Sequence, residues 1–148
     1  MNSLEACFQK AIKLGESYEI LTITRAKDNE DWVIVYEPKN SSFSDYYSYI
    51  NLYSLKYERE FKLNYLNKSE SHIHLSDLDI PDEPIDFTNN GYGTILMGHF
   101  MKKISNKVNK VTGSLDYKDD KHLDRLHRFY NRFGLTTIKN LNTIDWEK

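Results

Sequence analysis

Two stretches of the chain combine residue types and spacing that suit chemistry. "NNGYGTILM", residues 89–97, places Gly91 and Gly93 where a helical pattern begins. A helix start presents backbone N–H groups with no intrahelical acceptor, together with a partial positive charge. An anionic phosphate suits that position, glycines let the backbone approach it without a Cβ in the way, and Thr94 adds a hydroxyl. Ordinary turn chemistry also accounts for such glycines. The third glycine of the dinucleotide fingerprint is missing, and so is the Lys-Ser/Thr of a P-loop. The second stretch, "FYNRFGL" at residues 129–135, puts Tyr130 on the inner stripe of a helix that Gly134 closes. Both a core tyrosine and a proton-donating phenol fit that position.

Other groups with chemical potential surround these two. Asp77 and Asp79 lie on the strand-like run "HLSDLDI" and are candidates for a general base, or for acceptors of loop N–H groups. His72 and His74 alternate on one strand face, a spacing able to ligate a metal. No carboxylate–histidine arrangement completes such a site, so no metal is expected. His122 and His127 fall on different faces of the tyrosine helix. Arg125, Arg128 and Arg132 read as solvated helix charges, with Arg132 the one placed to reach a phosphate. Cys7 is the sole cysteine. It excludes an internal disulfide and a cysteine zinc cluster, favours a reducing compartment, and sits on the apolar face of the first helix.

The elements that must position these groups follow from periodicity. Residues 2–14 form a short helix, with Asn2 and Glu5 at capping-box spacing, Leu4, Cys7, Phe8, Ala11 and Leu14 on one face, and Gly15 as its stop. "SYEILTITRA" and "DWVIVYEPK" read as a hairpin. Residues 49–66 fit either a helix or two strands. Their tyrosine content favours strands, with Tyr49, Tyr53, Leu55, Tyr57, Phe61, Leu63 and Tyr65 sharing a face. "HIHLSDLDI" alternates as a strand, placing Ile73, Leu75 and Asp77 on one side and His72, His74, Ser76, Leu78 and Ile80 on the other. A loop then leads to a helix from Gly91 to about residue 107, whose Met97, Phe100, Met101, Ile104 and Val108 line one side. The strand "KVTGSLDY" comes next. A helix over 118–134 follows, capped by Asp119 or Asp120, with Leu123, Leu126, Phe129, Tyr130 and Phe133 inward. The tail reads as a hairpin turning near Asn140–Asn142. The order predicts one mixed α+β domain over residues 1–148.

Composition narrows the function classes. A chain of 148 residues is long enough to bury about 70% of its unfolded surface. Its 20 basic and 22 acidic residues leave a net charge of −2, which gives no general pull toward nucleic acid or membrane. The tyrosine-rich 46–65 region could stack on single-stranded nucleic acid, but it mixes Glu58 and Glu60 with few cations. No run approaches the ~18 apolar residues of a membrane helix, and the N-terminus does not resemble a signal peptide. The expectation is a cytoplasmic protein that contacts neither membrane nor nucleic acid.

A strand, a Gly-x-Gly helix start, a further strand and then a helix ending in "FYNRFGL" resemble the Gcn5-related N-acetyltransferase family. The matching pieces are Gly91-Tyr92-Gly93-Thr94-Ile95-Leu96-Met97 and residues 129–135, within a resemblance that covers roughly residues 72–148. The resemblance implies a mixed central sheet flanked by helices, with two central parallel strands splayed to admit acetyl-CoA. It implies transfer of an acetyl group to an amine of a small molecule or protein, by direct attack through a tetrahedral intermediate, in a monomer or homodimer. Asn90, Gly91, Tyr92, Gly93, Thr94 and Ile95 would hold the diphosphate, with Arg132 in reach of it. The backbone of Leu78, Asp79 and Ile80 would hold the thioester, and His122 would approach the pantetheine. Tyr130 would give its proton to the departing sulfur, since a phenol near pKa ~10 suits a thiol near ~8.5. Asp77 or Asp79 would be the base. Thr88 stands where the family usually carries Gln or Arg, and the N-terminal half lacks the family's usual strand–helix–helix start. A non-catalytic acyl-CoA-binding or interaction module is the alternative that these departures suggest.

Overall fold

The computed structural model describes residues 3–26, 31–39, 46–80, 87, 91–104, 108–115, 119–138 and 143–147. In chain order they form α1 (Ser3–Gly15), β1 (Tyr18–Arg25), β2 (Trp32–Pro38), β3 (Tyr47–Ser54), β4 (Arg59–Asn67), β5 (His72–Asp79), α2 (Tyr92–Ile104), β6 (Lys110–Ser114), α3 (Asp120–Arg132), β7 (Thr136–Ile138) and β8 (Thr143–Glu147). The architecture is α+β, as the periodicities predict. All eight strands join one mixed sheet in the order β1-β2-β3-β4-β5-β6-β8-β7. Among the described strands only β5 and β6 run parallel, a consequence of the crossover through α2 that joins them.

The two faces of the sheet are covered differently. α1 lies over the first hairpin, where Cys7 and Ala11 turn inward against Ile34 and Tyr36. Its inward line is narrower than the predicted stripe: Leu4 and Phe8 face solvent, as does Ile12. Two small side chains, Cys7 and Ala11, let the helix sit close to the sheet and turn its bulkier residues outward. α2 and α3 cover the opposite face. There Leu96, Met97, Phe100, Ile104 and Tyr130 share one core with Ile50, Leu52, Phe61, Leu63, Tyr65, Ile73 and Leu75.

Residues 47–67 are strands, but their side-chain parity breaks at the intervening turn. Leu52 pairs with Phe61 and Ile50 with Leu63, so even positions of β3 share the α2 face with odd positions of β4. Tyr49 and Tyr53 therefore face away from Phe61 and Leu63, which corrects the single seven-residue face expected from the sequence. The turn between the strands holds Glu58 at φ 50.

A bulge makes a second correction in β5. Asn64 pairs with Asp77 and Tyr65 with Leu75, leaving Ser76 as an extra residue. One extra residue flips all side chains beyond it to the other face. Leu78 consequently packs on the α2 face with Ile73 and Leu75. Asp77 and Asp79 are exposed on the α1 face, beside their partners Asn64 and Lys62.

Candidate functional site

The site is framed by the place where β5 outruns β6. Among the described residues the parallel ladder runs from His72↔Lys110 to Leu75↔Gly113 and stops there. β5 continues through its bulge to Asp79, paired with β4 alone. Gly113 makes the last rung possible: a Cβ there would lie 3.0 Å from the Leu75 carbonyl oxygen and 3.2 Å from Ile144 Cδ1. Beyond that rung one edge of β5 faces away from any described strand, and its backbone groups need other partners.

α2 begins beside this opening. Gly91 has φ 79, a conformation that favours glycine, and its carbonyl accepts from the Ile95 amide at 3.1 Å. The amides of Tyr92, Gly93 and Thr94 thus form the first turn, where no intrahelical acceptor is available. Thr94 is exposed.

Two residues expected near a phosphate have other duties. The amide of Ile95 is already committed to Gly91, and the Tyr92 side chain is fully buried. The Tyr92 ring stacks on Phe61 at 4.8 Å, and its hydroxyl donates to Asp31 Oδ2 at 2.7 Å. Ser54 Oγ donates to the same oxygen at 2.5 Å, and the Lys56 amide donates to Oδ1 at 2.9 Å. Burial first, and the hydrogen bond to Asp31 second, push the Tyr92 phenol well above its ordinary value. Only the backbone of Tyr92 can serve a ligand. Asn90 and Thr88 lie outside the described residues.

Gly93 joins the two sequence motifs directly. A Cβ on it would meet Phe129 Cζ at 3.3 Å and Leu78 Cδ2 at 3.6 Å, so this glycine admits the aromatic ring of α3. The Arg132 guanidinium sits 5.5 Å from the centre of that same ring. An exposed cation is thereby placed on the α3 side of the α2 start, where the sequence had set it in reach of a phosphate.

Tyr130 lies on the inward side of α3, 6% exposed, with its ring 5.2 Å from that of Phe129. Burial raises its pKa well above the ordinary phenol value, and the negative charge of Asp77 adds to the effect. The phenol is therefore protonated at neutral pH, and its neighbour Phe129 meets Gly93 beside Leu78, a residue beyond the last β5–β6 rung.

The remaining expected contacts fare unequally. Ile80 donates its amide to the Leu78 carbonyl at 3.2 Å, so among the three residues proposed for the thioester its N–H is taken. His122 stands in the first turn of α3, its amide donating to the cap Asp119 at 2.8 Å. It is eight residues before Tyr130, about 12 Å along the helix axis. His72 Nε2 and His74 Nδ1 each lie 2.9 Å from Thr112 Oγ1 on the α1 face. Among the described residues no cluster of His, Cys, Asp and Glu could hold a metal ion, and no helix is long and apolar enough to cross a membrane.

One residue escaped the sequence reading. His127 is 3% exposed on the inward side of α3, where Leu126 and Phe129 were expected to dominate. Its position one turn before Tyr130 was the available signal, since residues three apart share a helix face.

No protein-family model, curated protein or solved structure matches the chain.

Proposed function

We propose that the chain is an acetyl-CoA-dependent N-acetyltransferase with the Gcn5-related fold, acting on an amine of a small molecule or protein. The observation that carries the reading is the early end of the β5–β6 ladder beside a buried, protonated phenol. A stretch of β5 left without a described partner strand on one edge offers an extended ligand a strand edge to pair with. The helix start at Gly91 supplies amides suited to a diphosphate, and Arg132 adds a cation where Thr88 brings none. Bound acetyl-CoA would supply an acyl thioester ready for direct attack by the amine.

The chain's own residues would then divide the work. The amides of Tyr92, Gly93 and Thr94 bind the anion, and the backbone of Leu78 and Asp79 is left to orient the carbonyl. Tyr130 Oη holds the proton needed by a departing thiolate. Its raised pKa keeps the phenol protonated at neutral pH, and the same desolvation that raises it would raise the basicity of a thiolate formed beside it. Asp77 and Asp79 stand on the opposite face, which suits them to take a proton from an amine arriving from that side.

The test pairs binding with turnover. Acetyl-CoA is titrated calorimetrically into the wild type and Tyr130→Phe, and acetyl transfer is measured over a panel of primary amines. Equal binding with turnover reduced about 10²–10⁴-fold is expected from the loss of a general acid. Absence of binding would refute the reading, while binding without transfer by the wild type would favour an acyl-CoA-binding module.

A further inference from the structure

α3 turns a polar side chain inward one turn before Tyr130, and among the described residues neither Nδ1 nor Nε2 of His127 has a hydrogen-bond partner. With the ring 3% exposed, solvent does not meet the need either. A neutral imidazole carries one donor and one acceptor. Leaving such groups unmet destabilises the fold. Leu123 and Leu126 on the same helix pack against the core without that cost.

Topology tells which way His127 lies from Tyr130. β7 is antiparallel to β8, and β8 is antiparallel to β6, so β7 runs in the same direction as β6. α3 must therefore travel back along β6 from its C-terminal end. That end is where β5 outruns its neighbour. Residues preceding Tyr130 in α3 therefore lie toward the opening, and His127 is one helical turn nearer to it than the phenol.

We propose that His127 is completed by the ligand: a ring nitrogen hydrogen-bonds a secondary amide in an extended arm lying between β5 and β6. An amide offers one N–H and one C=O, and either can partner an imidazole nitrogen. The pantetheine arm of an acyl-CoA carries such amides, and the inference rests on the acyl-CoA reading given above. Binding and stability are then coupled at one residue, because the apo chain bears the orphan that the ligand relieves.

Two variants test this, His127→Leu to remove both nitrogens and His127→Asn to keep a donor and an acceptor. Calorimetry uses CoA and, separately, an adenosine bisphosphate that lacks the pantetheine arm. Urea denaturation of the apo proteins supplies a readout independent of activity. For His127→Leu the expectation is unchanged or raised apo stability, CoA binding weakened about five- to tenfold, and unchanged binding of the adenosine bisphosphate. His127→Asn is expected to recover most of the CoA affinity. Equal CoA affinity for His127→Leu and the wild type would overturn the inference while leaving the acyl-CoA reading intact. Equal weakening toward both ligands, or a loss of apo stability, would make His127 a packing residue and overturn it as well. Failure of the wild type to bind CoA removes the premise and the inference together.

Discussion

The substitution Tyr92→Phe isolates one hydroxyl in the network that anchors the first turn of α2. Phenylalanine keeps the ring that stacks on Phe61 at an interplanar angle of 19°, so apolar burial is preserved. What is lost is the O–H donated to Asp31 Oδ2. Hydrogen bonds to charged groups contribute about 1.5–3 kcal/mol. Asp31 keeps the Ser54 hydroxyl and the Lys56 amide, so the carboxylate is not stranded and the lower part of that range applies. The expected loss is about 1.5–2 kcal/mol, or about 3–8 °C in Tm for a chain of this size. Urea denaturation at neutral pH measures it, with an unchanged m-value as the sign that only stability moved. The pH dependence supplies a second check. A phenol whose folded pKa is raised contributes stability that is complete below its unfolded value near ~10 and is lost as pH climbs beyond it. The variant should therefore lose less stability above pH ~10 than the wild type. Tyr130, also raised, retains part of the decline. A loss under ~0.5 kcal/mol at neutral pH would mean that Asp31 does not depend on this hydroxyl, and the account of the α2 anchor would be wrong.

Two other perturbations follow from the same geometry. Gly113→Ala puts a methyl group 3.0 Å from the Leu75 carbonyl, which the ladder holds in place. The expected cost is about 1–3 kcal/mol, read by thermal melting, and full retention of stability would show that β6 shifts freely at the last rung. His72 and His74 both have lowered pKa values, chiefly from burial, with Lys68 opposing the charged form of each. Their neutral forms favour the fold, so that stability is present above pH ~6.5 and is lost as pH falls below it. NMR titration should give midpoints below ~6.5 for both rings, and a midpoint above it for either would contradict the shared Thr112 contact as the neutral arrangement.

The order of elements was legible because each has a strong local signal. Gly15, Asp119 and Gly134 mark helix ends, and strand–helix–strand order makes β5 and β6 parallel. Register was not legible. Ser76 looks like any other residue in "HIHLSDLDI", yet the bulge it forms reverses the faces of Asp77 and Leu78. "KVTGSLDY" reads as one strand, whereas β6 ends at Ser114 and its pairing with β5 at Gly113. The Asp31–Tyr92 bond joins residues 61 positions apart, which no local pattern foretells. His127 was passed over because hydrophobic periodicity assigns a histidine no inward preference, although the helix rotates to bury it.

The two glycines of the Gly-x-Gly stretch illustrate why a motif can be right in place and misread in cause. Gly91 is required by its own backbone, since φ 79 is strained for any other residue. Gly93 has no such demand. Its missing side chain makes room for Phe129, which the sequence had credited to a separate motif. Residues 91–97 and 129–135 therefore meet in this chain through one ring, which closes the space between the α2 start and α3. The centre of that ring lies 5.5 Å from the Arg132 guanidinium and 5.2 Å from the Tyr130 ring, so a change at Phe129 would reach the α2 start, the cation and the phenol together.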